Sequence, residues 1–294
     1  MAEKTTQDMK QKLFIIIAST LCLIGIFLWQ NFKFYDGNLH IIFCDVGQGD
    51  AIFIRSPQGA DILIDGGPDE SVLSCLGNNM PFWDRDLELV FATHPDADHI
   101  SGLESVLKTY TVKSFNTSKK SSGTQVFKRI QGLIETKKIP FRFVYAGDTF
   151  SLSDGVVIKH LWPTHEYVET DSLKNTDMNS FSLVQIVSFG NFKTLLTGDI
   201  EYQILNTLFS SSLNIDIFKL PHHGSKTGAD DRTFSLINSK LGIISAGKNN
   251  RYHHPHPSIL DLLKKYNLSY KMTSRDGEVR IVSGGSGFEV RRNK

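Results

Sequence analysis

The chain has 294 residues, 40% of them hydrophobic and 21% charged, which is an ordinary composition for a globular protein. Its formal net charge of +1 excludes a polycation that binds nucleic acid through overall charge, so any such affinity must come from a local patch. The cysteines form no C-x-x-C pair, which argues against a structural zinc site. We expect a buried free thiol at Cys44, a helical position for Cys75 and no disulfide framework. A Cys44–Cys75 bond is the less favoured alternative, because nothing in the spacing requires it.

Residues 13–30 form an uninterrupted apolar run, about 27 Å long as a helix and close to the hydrocarbon thickness of a bilayer. Lysines precede the run and aromatic residues follow it, so the positive-inside rule predicts a cytoplasmic tail at 1–12 and an extracytoplasmic remainder. A linker at 31–38 would then lead into one domain at 39–294. The alternative is a cleaved signal peptide, whose apolar core is usually shorter and precedes a small-residue cleavage site. We expect a single-pass protein of the cell membrane.

After residue 39, β-rich runs follow one another closely, and helices alternate with strands later in the chain. This order favours an α/β protein with two sheets and external helices. We expect the polar segment 163–178 to be a surface loop that could shape access to a site. Helices are predicted at 100–109, 124–137, 200–210, 230–238 and 258–267. Further strands are predicted at 141–145, 156–162, 181–189, 192–197, 215–220, 241–245, 269–273 and 278–282.

The segment His94-Pro-Asp-Ala-Asp-His99 follows an apolar strand and places four potential metal ligands within six residues. Imidazole and carboxylate groups suit a divalent ion that keeps positions open for water and substrate. Asp98 could instead cap the helix that follows. Capping would explain one carboxylate, but it would not explain Asp96 and two histidines beside it, so the pattern favours a metal site.

Other potential ligands also follow apolar runs. Asp65 follows one strand, and Asp199 follows another, although Asp199 could simply cap the next helix. The adjacent His222 and His223 follow a third strand, where one could bind metal and the other a substrate anion. Loops at strand ends are where binding groups collect in layered α/β folds, so these groups are expected to meet.

Two more segments are candidates for substrate contacts. His254 and His256 lie in a loop whose prolines restrict the backbone, and either could protonate a leaving group; an ordinary surface loop is the alternative. Residues 113–142 carry eight basic residues against the single acid Glu135. There Lys119 and Lys120 could follow a phosphate backbone, or the segment could be a solvated helix face.

The motifs HPDADH, LIDGG, LLTGD and HHGS together resemble the metallo-β-lactamase superfamily. The motifs DVGQGDA, NSFSLV, YHHPHP and TSRDG narrow the resemblance to the extracytoplasmic hydrolase domain of ComEC-type competence proteins. These motifs extend over residues 39–283. The resemblance implies a four-layered αββα sandwich with a metal site at one edge, between the sheets.

The resemblance also implies roles for individual residues. The implied metal ligands are His94, Asp96, Asp98, His99, Asp199 and one of His222 and His223. Asp65 would orient the site, and Asp199 would bridge two ions if both bind. The implied substrate-binding candidates are Asn179, Ser180 and Ser225. The superfamily usually has histidine in place of Asp96, and the oxygen-rich set makes Mn²⁺ a competitor to Zn²⁺ in a site for one or two ions.

These features predict metal-assisted hydrolysis of a phosphodiester, with single-stranded DNA or another nucleic acid as the favoured substrate and no organic cofactor. Asp98 or Asp65 would orient the attacking water, and His254 or His256 would assist the leaving oxygen. With one apolar span, the chain is not expected to form a DNA-conducting pore. The alternatives are an enzyme for another extracytoplasmic ester, such as an envelope phosphodiester or a lactone, and a non-catalytic anchored binding module.

Overall fold

The computed structural model describes residues 2–118, 123–171 and 177–292. Lys119 and Lys120 lie outside these ranges. The first helix, α1 (Ala2–Phe34), is continuous through the apolar run, and its portion Gln7–Phe34 is long and apolar enough to cross a membrane. The remaining helices are α2 (Ser71–Asn79), α3 (Ala97–Thr109), α4 (Gln125–Thr136), α5 (His165–Asp171), α6 (Tyr202–Leu205), α7 (Asp231–Leu236), α8 (Pro257–Lys265) and α9 (Thr273–Asp276).

The strands form two large sheets. They are β1 (Leu39–Phe43), β2 (Ile52–Arg55), β3 (Asp61–Ile64), β4 (Asp86–Leu87), β5 (Leu89–Ala92), β6 (Thr111–Val112), β7 (Phe115–Thr117), β8 (Phe141–Phe143), β9 (Thr149–Ser151), β10 (Val156–Trp162), β11 (Val184–Phe189), β12 (Phe192–Leu196), β13 (Leu213–Lys219), β14 (Ile237–Ile244), β15 (Tyr270–Met272), β16 (Val279–Ser283) and β17 (Glu289–Arg292). The first sheet has the order β17-β16-β1-β2-β3-β5-β7-β8, and the second has the order β15-β14-β13-β12-β11-β10-β9. Strands β4 and β6 pair separately.

The two sheets pack face to face and bury apolar side chains between them, among them Phe43, Phe91, Ile158, Val187 and Ile217. Helices α2, α3 and α4 cover the outer face of the first sheet, while α7 and α8 cover that of the second. Central strands buried on both faces explain why their sequences are almost continuously hydrophobic. The result is the predicted αββα sandwich.

Strand direction places the functional segments at one edge. Strands β1, β3 and β5 run in the same direction, because β2 is antiparallel to both of its neighbours and β3 is parallel to β5. In the second sheet, β12, β13 and β14 are mutually parallel. The carboxyl ends of these strands deliver Asp65, His94, Asp199, His222 and the loop after β14 to the same edge. Helix α1 joins at the opposite end, where β1 begins.

The expectation of a free buried Cys44 was wrong, because Cys44 and Cys75 form a disulfide with a Cα–Cα distance of 5.9 Å. Cys44 directly follows β1, and Cys75 lies on the inner face of α2, so packing of this helix against the sheet brings the two residues together. Their sequence separation of 31 could not reveal this contact.

Two local expectations also differed from the structure. The polar segment 163–178 contains the short helix α5, and residues 172–176 lie outside the described ranges. The helix predicted at 200–210 is reduced to α6, which ends at Asn206. The Asn206 amide donates to Asp230 Oδ1 (2.9 Å) and thereby ties the end of this short helix to the start of α7.

Candidate metal centre

The segment between β5 and α3 directs its polar side chains inward. Asp96 occupies the N-cap position of α3, but its side chain makes no capping hydrogen bond. Asp98 and His99 lie in the first turn. The capping explanation for Asp98 therefore fails, since the cap position belongs to another residue and the Asp98 carboxylate faces His223 Nε2 at 3.5 Å.

Side chains from three distant parts of the chain meet here. Asp199 Oδ2 lies 3.2 Å from both His99 Nε2 and His223 Nε2. One ligand atom from each of four residues falls within 4.8 Å of the others, and these residues are Asp98, His99, Asp199 and His223. His94 adjoins this group with its ring centroid 4.1 Å from that of His99, and its Nε2 atom lies 3.7 Å from Asp96 Oδ2.

The arrangement fits a divalent cation because the converging atoms have no well-formed hydrogen bonds of their own. The Nε2 atoms of His94, His99 and His223 and the Oδ1 atom of Asp199 are all buried without a hydrogen-bond partner. Unpartnered buried polar atoms are costly, so four of them at one point indicate a group that the protein atoms alone do not supply. The residues can thus hold a metal ion.

In each ring the Nδ1 atom has a partner on the side away from the cluster, and this contact directs Nε2 towards the cluster. His99 Nδ1 donates to Asp65 Oδ2 (2.8 Å), and His223 Nδ1 donates to the Ser245 carbonyl oxygen (2.9 Å). His94 Nδ1 lies 3.0 Å from Thr93 Oγ1. Such partners fix the tautomer and orientation of metal-binding histidines.

Asp65 organises the turn after β3. Its backbone is in the left-handed region (φ 59°), which aspartate tolerates better than most residues. The carboxylate accepts hydrogen bonds from Thr93 N (2.8 Å), Thr93 Oγ1 (2.7 Å) and His99 Nδ1. Asp65 therefore joins two strand ends and one candidate ligand, and its role in orienting the site stays a prediction.

The geometry distinguishes the two adjacent histidines. His222 and His223 both have positive φ (50° and 54°), so the chain turns sharply after β13 and sends the two rings in different directions. The His223 side chain is 1% exposed, whereas that of His222 is 25% exposed and its Nε2 lies 3.8 Å from Asp199 Oδ2. This arrangement favours His223 as the ligand and places His222 at the mouth of the site.

Charges within the cluster shift the pKa values of its members. Burial alone would lower the pKa of His99, but Asp199 and Asp65 outweigh burial and raise it well above the usual range. Burial also opposes the charge on His223, whereas Asp199 and Asp50 raise its pKa to about 9. Burial and the neighbouring Asp98 raise the pKa of Asp96 to about 6. The cluster therefore attracts positive charge strongly, as a cation site should.

A buried ion pair behind the histidines was missed in the sequence. Lys219 and Asp50 are almost completely buried, and the Lys219 ammonium bonds directly to Asp50 Oδ2. The same ammonium donates to the Gly198 carbonyl oxygen (3.1 Å), while Asp50 Oδ1 lies 3.7 Å from His223 Nδ1. The available signal was a lysine that ends strand β13 directly after the apolar pair Ile217 and Phe218, together with a second aspartate in DVGQGDA.

Close backbone approach brings Asp50 into place. Gly49 has a φ of 146°, and a Cβ atom at this position would lie 2.1 Å from the Asp98 carbonyl oxygen. Only glycine allows the turn after β1 to rest directly on the start of α3. The Asp50 amide then donates to that same Asp98 carbonyl (3.3 Å).

The predicted substrate-binding residues have local partners. Ser180 lies in the 3-10 helix Asn179–Phe181, and its hydroxyl donates to the Asp177 carbonyl (2.8 Å). Ser225 Oγ lies 3.2 Å from Thr227 Oγ1. The Ser182 hydroxyl, which was not predicted, contacts the cluster: it accepts from Asp199 N (3.1 Å) and lies 3.2 Å from His94 Nδ1. The substrate contacts assigned to Asn179, Ser180 and Ser225 stay predictions.

The two histidines of the last loop differ in position. The His254 ring lies 5.8 Å from that of His222 and 6.4 Å from that of His223, so it stands beside the cluster. His256 caps α8, where its Nδ1 accepts from Ser258 N (3.2 Å). Burial and the two neighbouring histidines lower the pKa of His254 to about 4. The structure thus gives His256 a structural contact and leaves His254 facing the site.

An αββα sandwich with a histidine and aspartate cluster at one sheet edge defines a class of metal-dependent hydrolases. The model of the metallo-β-lactamase superfamily matches residues 44–248. This chain belongs to that superfamily, and its similarity to competence proteins supports a ComEC-type hydrolase domain.

Two relatives illustrate this similarity. ComE operon protein 3 of Bacillus subtilis is 26% identical over 287 residues, which cover 90% of this chain and 36% of that protein. Recombination protein 2 of Haemophilus influenzae is 30% identical over 249 residues, which cover 81% of this chain and 28% of that protein. The chain thus spans about a third of the length of these relatives.

Solved structures show the same fold. Zn²⁺-bound PqqB from Methylobacterium extorquens superposes with a TM-score of 0.52 at 10% identity, over 79% of this chain and 97% of that one. The metallo-hydrolase Igni18 from Ignicoccus hospitalis gives a TM-score of 0.50 at 15% identity, over 82% of this chain and 98% of that one.

Proposed function

We propose that this chain is a membrane-anchored, metal-dependent phosphodiesterase that cleaves nucleic acid outside the cytoplasmic membrane. The observation that carries the proposal is the meeting of unpartnered histidine and aspartate atoms at an open sheet edge. The names of two similar proteins, Recombination protein 2 and Competence protein ComA of Neisseria gonorrhoeae, favour nucleic acid over other esters.

In this proposal Asp98, His99, Asp199 and His223 hold one divalent ion, either Zn²⁺ or Mn²⁺. If a second ion binds, His94 and Asp96 would add donors for it, and Asp199 would serve both ions. A bound ion would polarise a phosphoryl oxygen and acidify a water molecule. The four residues would hold the ion beside the cleft that Asp96 and Asp98 line, where substrate could reach it.

Other residues would position the reactants. The Asp98 side chain is 34% exposed, so it can accept a hydrogen bond from the attacking water while it also faces His223. Asp65 holds His99, and the Asp50–Lys219 pair supports His223 from behind. The ring of His254 stands where its N–H could donate to the leaving oxygen.

Two features support the proposed location. The end of α1 is joined to the domain, since Arg55 Nε donates to the Phe34 carbonyl (3.1 Å) and Trp83 packs on Phe27 with ring centroids 4.7 Å apart. The disulfide between Cys44 and Cys75 is typical of oxidising compartments outside the cytoplasm. Protease added to intact cells should cleave the domain. Cleavage that occurs only after lysis would reverse the proposed topology.

Metal-dependent activity of the full chain, purified in detergent, tests the catalytic proposal. After chelation and reloading with Mn²⁺ or Zn²⁺, we expect cleavage of single-stranded DNA and bis-p-nitrophenyl phosphate. Asp199→Ala should abolish turnover, whereas Asp261→Ala, at an exposed position on α8, should not change it. Hydrolysis of lactones alone would favour another ester substrate. Full metal loading without any hydrolysis would favour a binding module.

A further inference from the structure

The loop 248–256, between β14 and α8, separates two clefts beside the metal centre. The metal-side cleft has a volume of about 610 Å³ and lies between Asp96 and Asp98 on one wall and Arg251 and Tyr252 on the other. The outer cleft, of about 650 Å³, contains Lys248, His254 and Arg275. Both volumes fall in the range of small-molecule binding sites, so each cleft can hold a nucleotide-sized group.

Planar side chains on this loop lead from the metal centre to solvent. The His254 ring lies 6.4 Å from that of His223 at an angle of 28°, and the Tyr252 ring lies 5.6 Å from that of His254 at 23°. The Arg251 guanidinium lies 4.7 Å from the centre of the Tyr252 ring. Exposure rises along this series, from the buried His223 to Tyr252, which is 49% exposed.

The loop is held firmly although Tyr252 is exposed. The Asn250 amide donates to the carbonyl oxygens of Gly247 (2.9 Å) and His254 (2.7 Å), while Asn250 Oδ1 accepts from His254 N (2.8 Å). His256 N donates to the Gly224 carbonyl (2.8 Å), which ties the end of the loop to the HHGS turn. A ring on such a support loses little freedom when a ligand stacks on it.

The charges around the loop suit a phosphate chain. Carboxylates face the metal-side cleft, where a bound cation would offset them and attract the phosphate that is cleaved. Lys248 and Arg275 line the outer cleft, and Arg251 lies at the rim between the clefts. Cations beyond the reacting centre, together with an exposed ring close to it, are the usual elements of a site for single strands.

We propose that Tyr252 is a stacking platform for the base next to the scissile phosphate, and that it makes the site selective for single-stranded nucleic acid. This inference rests on the proposed phosphodiesterase function. Every base has an aromatic face that can stack, but in a duplex both faces are covered by neighbouring bases. A base can reach Tyr252 only from a single strand or an unpaired end.

The test compares cleavage of a short single-stranded oligonucleotide, the same sequence as a blunt duplex, and the single strand with one abasic position beside the cleaved bond. We expect Tyr252→Ala to lower kcat/KM for the intact single strand by about 10- to 100-fold, in line with the loss of one stacked base. Tyr252→Phe keeps the ring and should stay within about twofold of wild type. Phe141→Ala, which removes an exposed ring on edge strand β8, serves as the matched control.

The abasic substrate separates stacking from a general disturbance of the site. Wild type should have a lower kcat/KM on the abasic strand than on the intact strand. Tyr252→Ala should have the same kcat/KM as wild type on the abasic strand, because the missing base has already removed the contact with Tyr252. If Tyr252→Ala lowered kcat/KM equally on the intact and the abasic strand, the stacking role would be overturned. Equal wild-type kcat/KM values on the single strand and the duplex would also overturn it. If wild type cleaves no phosphodiester with any metal, the proposed function itself fails, and this inference fails with it.

Discussion

The sandwich buries histidines in two places that differ in their surroundings. At the sheet edge, each of the rings of His94, His99 and His223 has one nitrogen held from behind and the other directed at a shared point. In the middle of the sandwich, His160 on β10 contacts Phe91 and Phe150, and its Nδ1 lies 3.5 Å from the Gln185 amide. Its Nε2 atom is also unpartnered, but no carboxylate forms an ion pair with it among the described residues.

This comparison shows that burial and an unpartnered nitrogen do not by themselves define a metal site. The edge cluster is distinguished by carboxylates at 3.2 to 3.7 Å from the free nitrogens and by the partners that fix the opposite nitrogens. His160 has an apolar environment instead, so its burial favours a neutral ring. The difference can be tested at each of these positions.

The largest expected effect is a loss of metal affinity in Asp199→Ala, for which His160→Gln is the comparison. Asp199 contacts both His99 and His223, so its loss should weaken binding of Mn²⁺ or Zn²⁺ by at least about 100-fold, more than loss of an outer partner usually does. His160→Gln should bind metal as the wild type does. Calorimetric titration and metal analysis measure this, and equal metal content in Asp199→Ala and wild type would rule out the edge cluster as the metal centre.

The next effect concerns the ion pair behind the cluster. Lys219→Met should lower the free energy of unfolding by about 3–5 kcal/mol, because it leaves the buried Asp50 carboxylate without its cation. Urea denaturation measures the change. The double variant Lys219→Met/Asp50→Asn should recover part of the loss, since it removes the unpaired charge. A loss below about 1 kcal/mol in Lys219→Met would show that Asp50 is not held by this pair.

A pH-dependent effect is expected at His160. Burial lowers its pKa from 6.5 to about 4, so the unfolded chain binds the proton more readily than the folded one between these values. Stability should therefore fall as the pH drops through this window, by roughly 3 kcal/mol at pH 4. The comparison is urea denaturation of wild type and His160→Gln at pH 7 and pH 4.5. Identical pH dependence in the two proteins would contradict the low pKa of His160.

The smallest effect is expected from Asp65→Asn. Asparagine tolerates the left-handed backbone and can still accept from Thr93 N, but it removes the charge beside His99 Nδ1. Metal affinity should fall by about 10- to 100-fold with the fold intact. Asp69→Asn, on the exposed side of the same turn, is the control. Unchanged affinity in Asp65→Asn would limit Asp65 to a structural role.

The sequence predicted the edge cluster because its ligands follow apolar strands, and strand direction alone brings such positions together. It did not predict the Asp50–Lys219 pair, since a lysine at the end of a strand has no visible partner until the two sheets are assembled. The Cys44–Cys75 bond was not expected either, because the two cysteines meet only when α2 packs against the outer face of the first sheet. The choice between His222 and His223 depended on two positive φ angles, which the sequence HHGS does not reveal.

The position at which α1 joins the domain determines the distance between a bilayer surface and the sheet edge that carries the metal centre. Four residues separate the end of α1 from the start of strand β1, which runs towards that edge. Its five residues, at roughly 3.3 Å each, extend about 17 Å. With α1 embedded, lipid headgroups would lie at the far end of the sandwich from the metal centre. A nucleic acid in solution could therefore reach the metal centre without contacting the membrane.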